Sequence, residues 1–510
     1  MPKYYIHAEA FNLDHSVYDT HDISTIRGGS FILLDAVKRR LPEDIPDLEP
    51  IATAASKGVF AYDDPGDLAA QRTGMVQQVL FSLHDATGGH ATFLVAVEED
   101  IPDDFPLVLA RLEANVRRQQ WRMPSIIVPP FDATDQECYL DGWRPGVEPY
   151  TVDPDVSGAK ISRATYFRRK RGRELKHTLF KELFPEGGVE DDLCARDLGE
   201  LAIDASKGIM SGKIAFIHID GNSFGRIRKN KCITPEARKE FDVCIQKCRE
   251  AFLDDLHNTA HLDPDFRLSR NGKDVLRLEV LLWGGDECTM VVPAWKGLEV
   301  LERFYRITAS LTFEGVPMTH RAVVIFCHHD APILQIRRLA DRLLGMTKDD
   351  IIRHFKAAFA TDPTLASLDD ADRNEQIKCL SNANYGNAAR YLVLESFDML
   401  RGSLNKFLER YYGKADMSNM LLYGSRMSEL KDNMHTICGA VPKSRVVKLA
   451  NAISRSDLAS EKELYKRLIE SIDPEKRDTV HAKIETFTKS NSAGWYLLAD
   501  LWDYAKEWKA

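Results

Sequence analysis

The sequence predicts an α+β protein, with a βαββαβ unit in the middle of the chain and a helix-rich region after it. Two stretches carry this reading. The first is an apolar or β-branched run, Ile214 to Ile219, that ends at Asp220 and the glycine-containing turn Gly221-Asn222-Ser223-Phe224-Gly225. The second is "LLWGGDECTM", Leu281 to Met290, where Gly284-Gly285-Asp286-Glu287 separates two short apolar runs as a hairpin turn does.

The elements follow in order. Ile214 to Ile219 is a buried strand that delivers one carboxylate to its C-terminal end. Thr234-Pro235-Glu236 starts a helix, with a hydroxyl at the N-cap and proline at the first helical position. Phe241, Ile245, Cys248 and Phe252 then recur at helical spacing. Leu276 to Trp283 reads as the next strand and Cys288 to Pro293 as its hairpin partner. A helix from Gly297 to about Thr308, a strand from Ala322 to Cys327 and the helix "ILQIRRLADRLLGMTK" complete the unit. Such a succession is ferredoxin-like. Beyond Lys348 the chain turns helix-rich, with breaks near Pro363, Gly402 and Pro442. In "NSAGWYLLADLWDYAKEW" Trp495, Leu498 and Trp502 share a face that reads as core.

Length and composition bound the function. The 510 residues are too many for one ordinary domain. A net charge of −9 argues against a surface coated for nucleic acid, though it leaves room for a local basic patch. No apolar run approaches the roughly 18 residues of a membrane helix, and "MPKYYIHAEA" lacks the features of a signal peptide. Nine scattered cysteines read as reduced thiols, so a cytoplasmic location is expected.

Strand order in such a unit lets Asp220 and Asp286-Glu287 converge. Carboxylates about 4 Å apart repel by roughly 4 kcal/mol per pair at an effective dielectric near 20. Divalent cations make such a cluster sensible. Magnesium takes hard oxygen ligands and substrate phosphates, and a pair of such ions serves phosphoryl and nucleotidyl transfer. Glycines allow close approach of backbone to a triphosphate. Taken alone, "GGDE" is only a turn.

These residues resemble the palm of GGDEF-type nucleotide cyclases, and more closely the catalytic palm of the large subunit of type III CRISPR effector complexes. That family's Asp-x-Asp-x-apolar-Gly strand end is similar to Asp220-Gly221-Asn222-Ser223-Phe224-Gly225, with asparagine at the second acidic place. Its Gly-Gly-Asp-Asp hairpin resembles Gly284-Gly285-Asp286-Glu287, and its phosphate-contacting lysine resembles Lys348. The resemblance implies a first, degenerate palm upstream. "YYIHAEA" begins like "AFIHIDG", and "STIRGGSFILLDAV" resembles that palm's helix, where Gly28, Gly29 and Ser30 would lie near a nucleotide. Close helix packing explains the same glycines equally well. The hairpin "ATAASKGVFAYD", the helix Leu68 to His84 and the strand Ala91 to Val97 follow, with Ser56-Lys57-Gly58 where metal ligation would need acids.

The implied fold is two ferredoxin-like palm domains plus a C-terminal α-helical domain. The divisions are 1–125 for the first palm, 126–205 for a linker, 206–350 for the catalytic palm and 351–510 for the helical domain. Within the linker, "ECYLDGWRPGVEPY" resembles a zinc element with Asp141 in place of a cysteine, which argues against a metal there. "KISRATYFRRKRGRELKH", Lys160 to His177, is the most basic stretch. It reads as a solvated linker face or, as a second choice, an RNA contact. The pairs His21-Asp22, His84-Asp85 and His329-Asp330 read as ordinary, as does His218.

The expected activity is metal-dependent joining of nucleoside triphosphates, ATP favoured, into a cyclic di- or oligonucleotide signal used in antiviral defence. Asp220, Asp286 and Glu287 would hold Mg²⁺ or Mn²⁺. Gly221, Asn222, Ser223, Phe224, Gly225, Gly284, Gly285 and Lys348 would hold one nucleotide, and Gly28, Gly29 and Ser30 a second. An RNA or protein activator and a homodimer are the partners considered. One rival reading is a catalytically silent scaffold that binds RNA or protein subunits. The other is a templated polymerase, which would need a longer basic channel.

Overall fold

The computed structural model of the chain describes residues 3–63, 68–123, 136–150, 158–183, 193–359, 386–396, 403–413, 420–488 and 493–509. From the N-terminus the elements are β1 (Lys3–Phe11), α1 (Ile23–Asp35), β2 (Glu49–Thr53), β3 (Lys57–Asp63), α2 (Leu68–Ala86), β4 (Thr92–Glu99), α3 (Phe105–Gln120) and α4 (Arg163–Leu183). They continue with β5 (Lys213–Gly221), α5 (Phe224–Lys231), α6 (Pro235–Leu262), β6 (Glu279–Gly284), β7 (Glu287–Pro293), α7 (Gly297–Thr308), β8 (His320–His328) and α8 (Ile333–Phe359). The last part holds β9 (Ala388–Val393), α9 (Leu404–Tyr412), β10 (Leu421–Tyr423), α10 (Met427–Ala440), α11 (Lys443–Ser454), α12 (Leu458–Glu470), α13 (Arg477–Thr488) and α14 (Ala493–Lys506). The fold is α+β. One sheet has the order β2-β3-β1-β4 and the other β6-β7-β5-β8-β9-β10, so the first four strands of the second repeat the order of the first.

The chain packs as two compact units, the first made of Met1–Cys194, Ser223–Glu250 and Val280–Thr289. In it β1 pairs antiparallel with β3 and β4, placing His7 opposite Val59 and Ala96, and Glu9 opposite Lys57 and Leu94. Phe105, Val108, Leu112 and Val116 recur at helical spacing on α3 and bury against Tyr5, Val59, Ala61, Leu94 and Ala96. Each such side chain contributes about 1.5–3 kcal/mol when fully withdrawn from water. The helix α1, capped by Asp22 through the Thr25 N–H at 2.8 Å, packs along α4.

The second unit comprises Ala195–Asn222, Ala251–Glu279 and Met290–Ala510. Ile214, Ala215, Phe216 and Ile217 on β5 are all essentially inaccessible, as their unbroken apolar run predicts. Antiparallel pairing of β8 with β5 sets Arg321 opposite Asp220 at one end and His328 opposite Lys213 at the other. Trp495, Leu498 and Trp502 of α14 are buried, as their spacing predicts.

Two details differ from the sequence reading. The run Leu276 to Trp283 is broken: Lys273–Leu276 pairs with Arg267–Arg270 in a separate hairpin, and β6 starts at Glu279. The C-terminal region is helical but also supplies β9, parallel to β8, and β10, antiparallel to β9. "AARYLV" is buried almost throughout and shows no alternation, so periodicity does not separate it from a buried helical segment.

Within this unit Asp500 accepts hydrogen bonds from Tyr412 Oη at 2.8 Å and Tyr391 Oη at 3.4 Å. Burial pushes its carboxyl up to about 7, against the opposing pull of those hydroxyls and Lys443. A folded-state value above the unfolded one stabilises below the unfolded value and is lost as pH rises through the folded one. Asp500→Asn should therefore gain on the wild type between pH 4 and 8, by on the order of 3 kcal/mol. Chemical denaturation at both pH values checks this, and a pH-independent difference contradicts it.

Candidate functional site

The first unit contains a cavity of about 410 Å³ lined by His7, Thr53, Ala54, Lys57, Glu113, Phe224, Gly225, Arg228, Lys229, Arg238, Asp242, Gly285 and Asp286, among others. Four of the candidate site residues read from the sequence, Phe224, Gly225, Gly285 and Asp286, meet here.

Each is placed by its local chain. Ser223 adopts a left-handed conformation, φ 59°, that ends the strand segment and opens α5, with no side-chain cap on the helix. Phe224 is buried edge-on against Phe241 of α6, ring centroids 5.9 Å apart, which anchors the first turn of α5. Gly225 beside it is exposed, and a Cβ there would meet nothing nearer than Arg228 at 3.8 Å. This leaves room for a ligand against the uncapped amides of the α5 N-terminus, a setting that favours phosphate. At the hairpin tip Gly285 has φ 56°, a conformation glycine adopts without strain. Gly284 has a different reason to lack a side chain, since its Cβ would fall 2.2 Å from Ala55 in the β2–β3 turn.

The cavity's electrostatics are mixed. Lys57, Arg228, Lys229 and Arg238 bring positive charge to the lining, and Glu113, Asp242 and Asp286 bring negative. Arg238 is half-buried, and its Nε has no hydrogen-bond partner among the described residues. Burial first, then the nearby Arg228 charge, lower its pKa from the ordinary arginine value. Asp242 accepts from Thr53 N–H at 3.1 Å, and burial raises its carboxyl. His7 is pushed down to about 4, mainly by burial and against the pull of Glu9, so it faces the cavity as neutral imidazole at pH 7. Under the hairpin tip, Arg249 stands 5.3 Å over the Trp283 ring.

The sequence reading missed Arg228, Arg238 and His7. A signal existed for the first: "RIRKNK" directly after the glycine turn is a basic run on the first turns of a helix. Arg238 and His7 reach the cavity only through tertiary packing.

The carboxylates at the hairpin tip fit a magnesium-class ion. Asp286 is half-buried, Glu287 is exposed, and neither forms an ion pair among the described residues. Asp220 differs. In the second unit it lies one residue before the end of β5, in an ion pair with Arg321, whose guanidinium also donates to Asn222 Oδ1 at 3.3 Å. Asn222 is buried, with Nδ2 donating to Thr319 Oγ1 at 3.2 Å and to the Gly386 carbonyl. Asn222 therefore ties its turn to neighbouring chain, while Gly221 is the buried last residue of β5. Lys348 is exposed on α8. His218 is buried on β5 with Nε2 3.4 Å from Asp341, the packed strand histidine the sequence reading expects.

Of the two readings of the Gly28 region, close packing accounts for the glycine itself. A Cβ on Gly28 would sit 1.8 Å from the Arg168 carbonyl oxygen, and one on Gly172 would sit 1.8 Å from that of Ser24. Gly29 is less tightly placed, its Cβ 3.1 Å from the Ser16 carbonyl oxygen and 3.2 Å from the Arg168 side chain, and Ser30 is buried. Three arginines of the basic stretch are held by carboxylates, while Lys160, Arg163, Lys170 and Arg173 are exposed. Arg168 binds both carboxylate oxygens of Asp19 at 2.8 and 3.0 Å, Arg169 pairs with Asp22 at 3.3 Å, and Arg171 with Glu182 at 2.6 Å. These three positions are therefore no open phosphate track, while the exposed basic residues around them fit the solvated face that the sequence reading prefers. Asp141 acts as a hydrogen-bond hub, accepting from the N–H groups of Trp143 and Arg144 and from Ser162 and Thr165 hydroxyls. Burial opposes its charge, but the Arg144 and Trp143 amides and the Arg144 guanidinium hold its carboxyl below the usual range.

No family model matches the sequence, and no curated protein does. Solved structures of the type III-A CRISPR-Csm large subunit, Csm1, are similar to the chain. A Csm1-Csm4 cassette in complex with cA4 matches at a TM-score of 0.42 and 12% identity, over 68% of this chain and 53% of that one. The cassette in complex with AMPPNP matches at 0.41 and 14%, over the same shares. Csm1 in T.onnurineus matches at 0.41 and 11%, over 68% and 51%. The chain thus spans about half the length of these proteins.

Proposed function

We propose that the chain is a metal-dependent nucleotidyltransferase that joins nucleoside triphosphates, ATP by preference, into a cyclic di- or oligonucleotide signal for antiviral defence. The observation that carries this reading is the cavity. It sets an uncapped helix N-terminus, an exposed glycine and the Arg228 and Arg238 guanidiniums around the hairpin-tip carboxylate Asp286. Its four cationic side chains, Lys57, Arg228, Lys229 and Arg238, outnumber the three acidic ones, Glu113, Asp242 and Asp286, and a metal-bound triphosphate would match that mixed lining. The ligand classes on the Csm1-Csm4 structures, cA4 and AMPPNP, agree with that reading.

In the proposed reaction a 3′-hydroxyl gives up its proton to solvent and its oxygen bonds to an α-phosphorus as the bond from that phosphorus to the leaving pyrophosphate breaks. Asp286 and Glu287 would hold Mg²⁺ or Mn²⁺, which would lower the charge on the reacting phosphate and the leaving group, and Asp220 stays the further ligand that the family resemblance implies. The amides and Gly225 at the start of α5 hold phosphate oxygens. Arg228, Lys229, Arg238 and Lys57 neutralise the triphosphate as charge moves to pyrophosphate. Neutral His7 offers one donor and one acceptor to a base edge or a ribose hydroxyl. Two palms of matching strand order are the proposed architecture. A second nucleotide contact through Gly29 and Ser30 would require α1 to part from α4.

One observation favours the silent scaffold instead. Arg321 already satisfies Asp220 and Asn222 with a cation of the chain's own. The scaffold would bind no nucleotide in the cavity. Titration calorimetry with a non-hydrolysable ATP analogue and Mg²⁺ separates the readings. Arg228→Ala and Arg238→Ala should each weaken binding about tenfold or more, the 1.5–3 kcal/mol of a charge-assisted hydrogen bond. Unchanged affinity in folded variants, or no binding by the wild type, contradicts the proposal.

A further inference from the structure

At the far end of β5 from Asp220, the last residue of β8 and the first two of the turn before α8 direct metal-ligating atoms at one another. His329 Nδ1 lies 2.9 Å from one oxygen of Asp330, and His328 Nδ1 lies 3.2 Å from the other. The three ligand atoms fall within 4.8 Å of one another. Two bonds of about 2.1 Å meeting at 90–109° separate their ligand atoms by roughly 3.0–3.4 Å, close to each of the two histidine–carboxylate spacings. Two imidazole nitrogens turned toward one carboxylate need either a proton on each or a cation among them.

The surrounding chain holds this arrangement in place. His329 N–H donates to the Gly212 carbonyl at 2.9 Å, and Ala331 N–H to the His328 carbonyl at 3.0 Å. Two glycines clear space for the rings. A Cβ on Gly212, which has φ 80°, would come within 3.1 Å of His328 Nε2, and one on Gly199 within 3.4 Å of His329 Cε1. The rings lie 4.4 Å apart at 32°, both presenting Nδ1 to Asp330. The competing donor is Asp330 N–H, 3.4 Å from His328 Nδ1.

We propose that His328, His329 and Asp330 form a binding site for a divalent ion of the zinc class, separate from the carboxylates of the proposed active site. Imidazole nitrogens suit zinc, cobalt or nickel, whereas magnesium takes oxygen ligands. The side chains of His328 and Asp330 are 48% and 73% exposed, so an ion enters from solvent and water completes its shell. Bound there, it ties the end of β8 to the turn that leads into α8. The sequence reading took this pair as ordinary because no spaced histidine set accompanies it; the third ligand is the adjacent His328.

The test is isothermal titration of the full chain with Zn²⁺ in excess Mg²⁺, repeated with Co²⁺ to follow its visible absorption. The wild type should bind Zn²⁺ at this site under excess Mg²⁺. His329→Ala and Asp330→Asn should each weaken that event by about tenfold or more, since even outer partners of a metal site cost about 10–100-fold. Thermal unfolding of the metal-free variants should match the wild type. His257→Ala serves as control, because His257 and His261 form another close pair with Nε2 atoms 3.1 Å apart. Equal affinity in Asp330→Asn, or a loss on His257→Ala instead, overturns the proposal.

Discussion

Asp286→Ala should abolish nucleotide joining, by about a thousandfold or more, while leaving the unfolding transition within roughly 0.5 kcal/mol of the wild type. The residue sits half-buried at a hairpin tip, lines the cavity and has no ion pair among the described residues, and Asp242 and Cys288 do more than it does to offset the buried Arg249 charge, so truncation costs little. Asp220→Ala should differ in stability though not in activity. Its carboxylate is the ion-pair partner of Arg321, whose Nε is already buried without a hydrogen-bond partner among the described residues. Losing that partner should cost about 1–3 kcal/mol. The double variant should be no less active than either single one, because groups acting as one catalytic unit are not additive. Pyrophosphate release and calorimetric unfolding on the same samples separate the two effects. Wild-type turnover by a folded Asp286→Ala protein would remove Asp286 from the mechanism.

The second large effect concerns packing. Gly28→Ala should destabilise the protein by about 3 kcal/mol or more, the upper end for overpacking, because the new methyl meets the Arg168 carbonyl at 1.8 Å. Neither helix backbone can yield locally, since Gly172 faces Ser24 just as closely. Nucleotide affinity of the folded fraction should be unchanged. A Gly28→Ala variant of normal stability but weakened nucleotide binding would return this glycine to a ligand site.

Where sequence and structure agree, the signals are local. Gly297–Thr308 has the bounds its pattern predicts, and Pro235 opens α6 as a first-turn proline should. The apolar run before Asp220 and the glycines before Asp286 place both acids at strand ends, because strand alternation and turn chemistry are short-range. What escaped the reading is long-range. Arg168 looks like a phosphate ligand until Asp19, 149 residues away in sequence, takes up its guanidinium. Arg238 lies on the unremarkable start of a helix, and only folding brings it beside Arg228 over the cavity. Strand β9 escaped because burial on both faces removes the alternation that would reveal it. Gly28 shows the limit of a motif: the residue type was right for close approach, but the approaching partner is a helix.

The most direct test of the account is mass spectrometry of the products formed when the purified chain is incubated with each nucleoside triphosphate and Mg²⁺ or Mn²⁺, with and without RNA. The account predicts a phosphatase-resistant cyclic di- or oligonucleotide from ATP, formed with release of pyrophosphate, dependent on metal and absent with Asp286→Ala. Intact triphosphate under every condition would contradict it, and extension of an added primer would replace it with the templated polymerase.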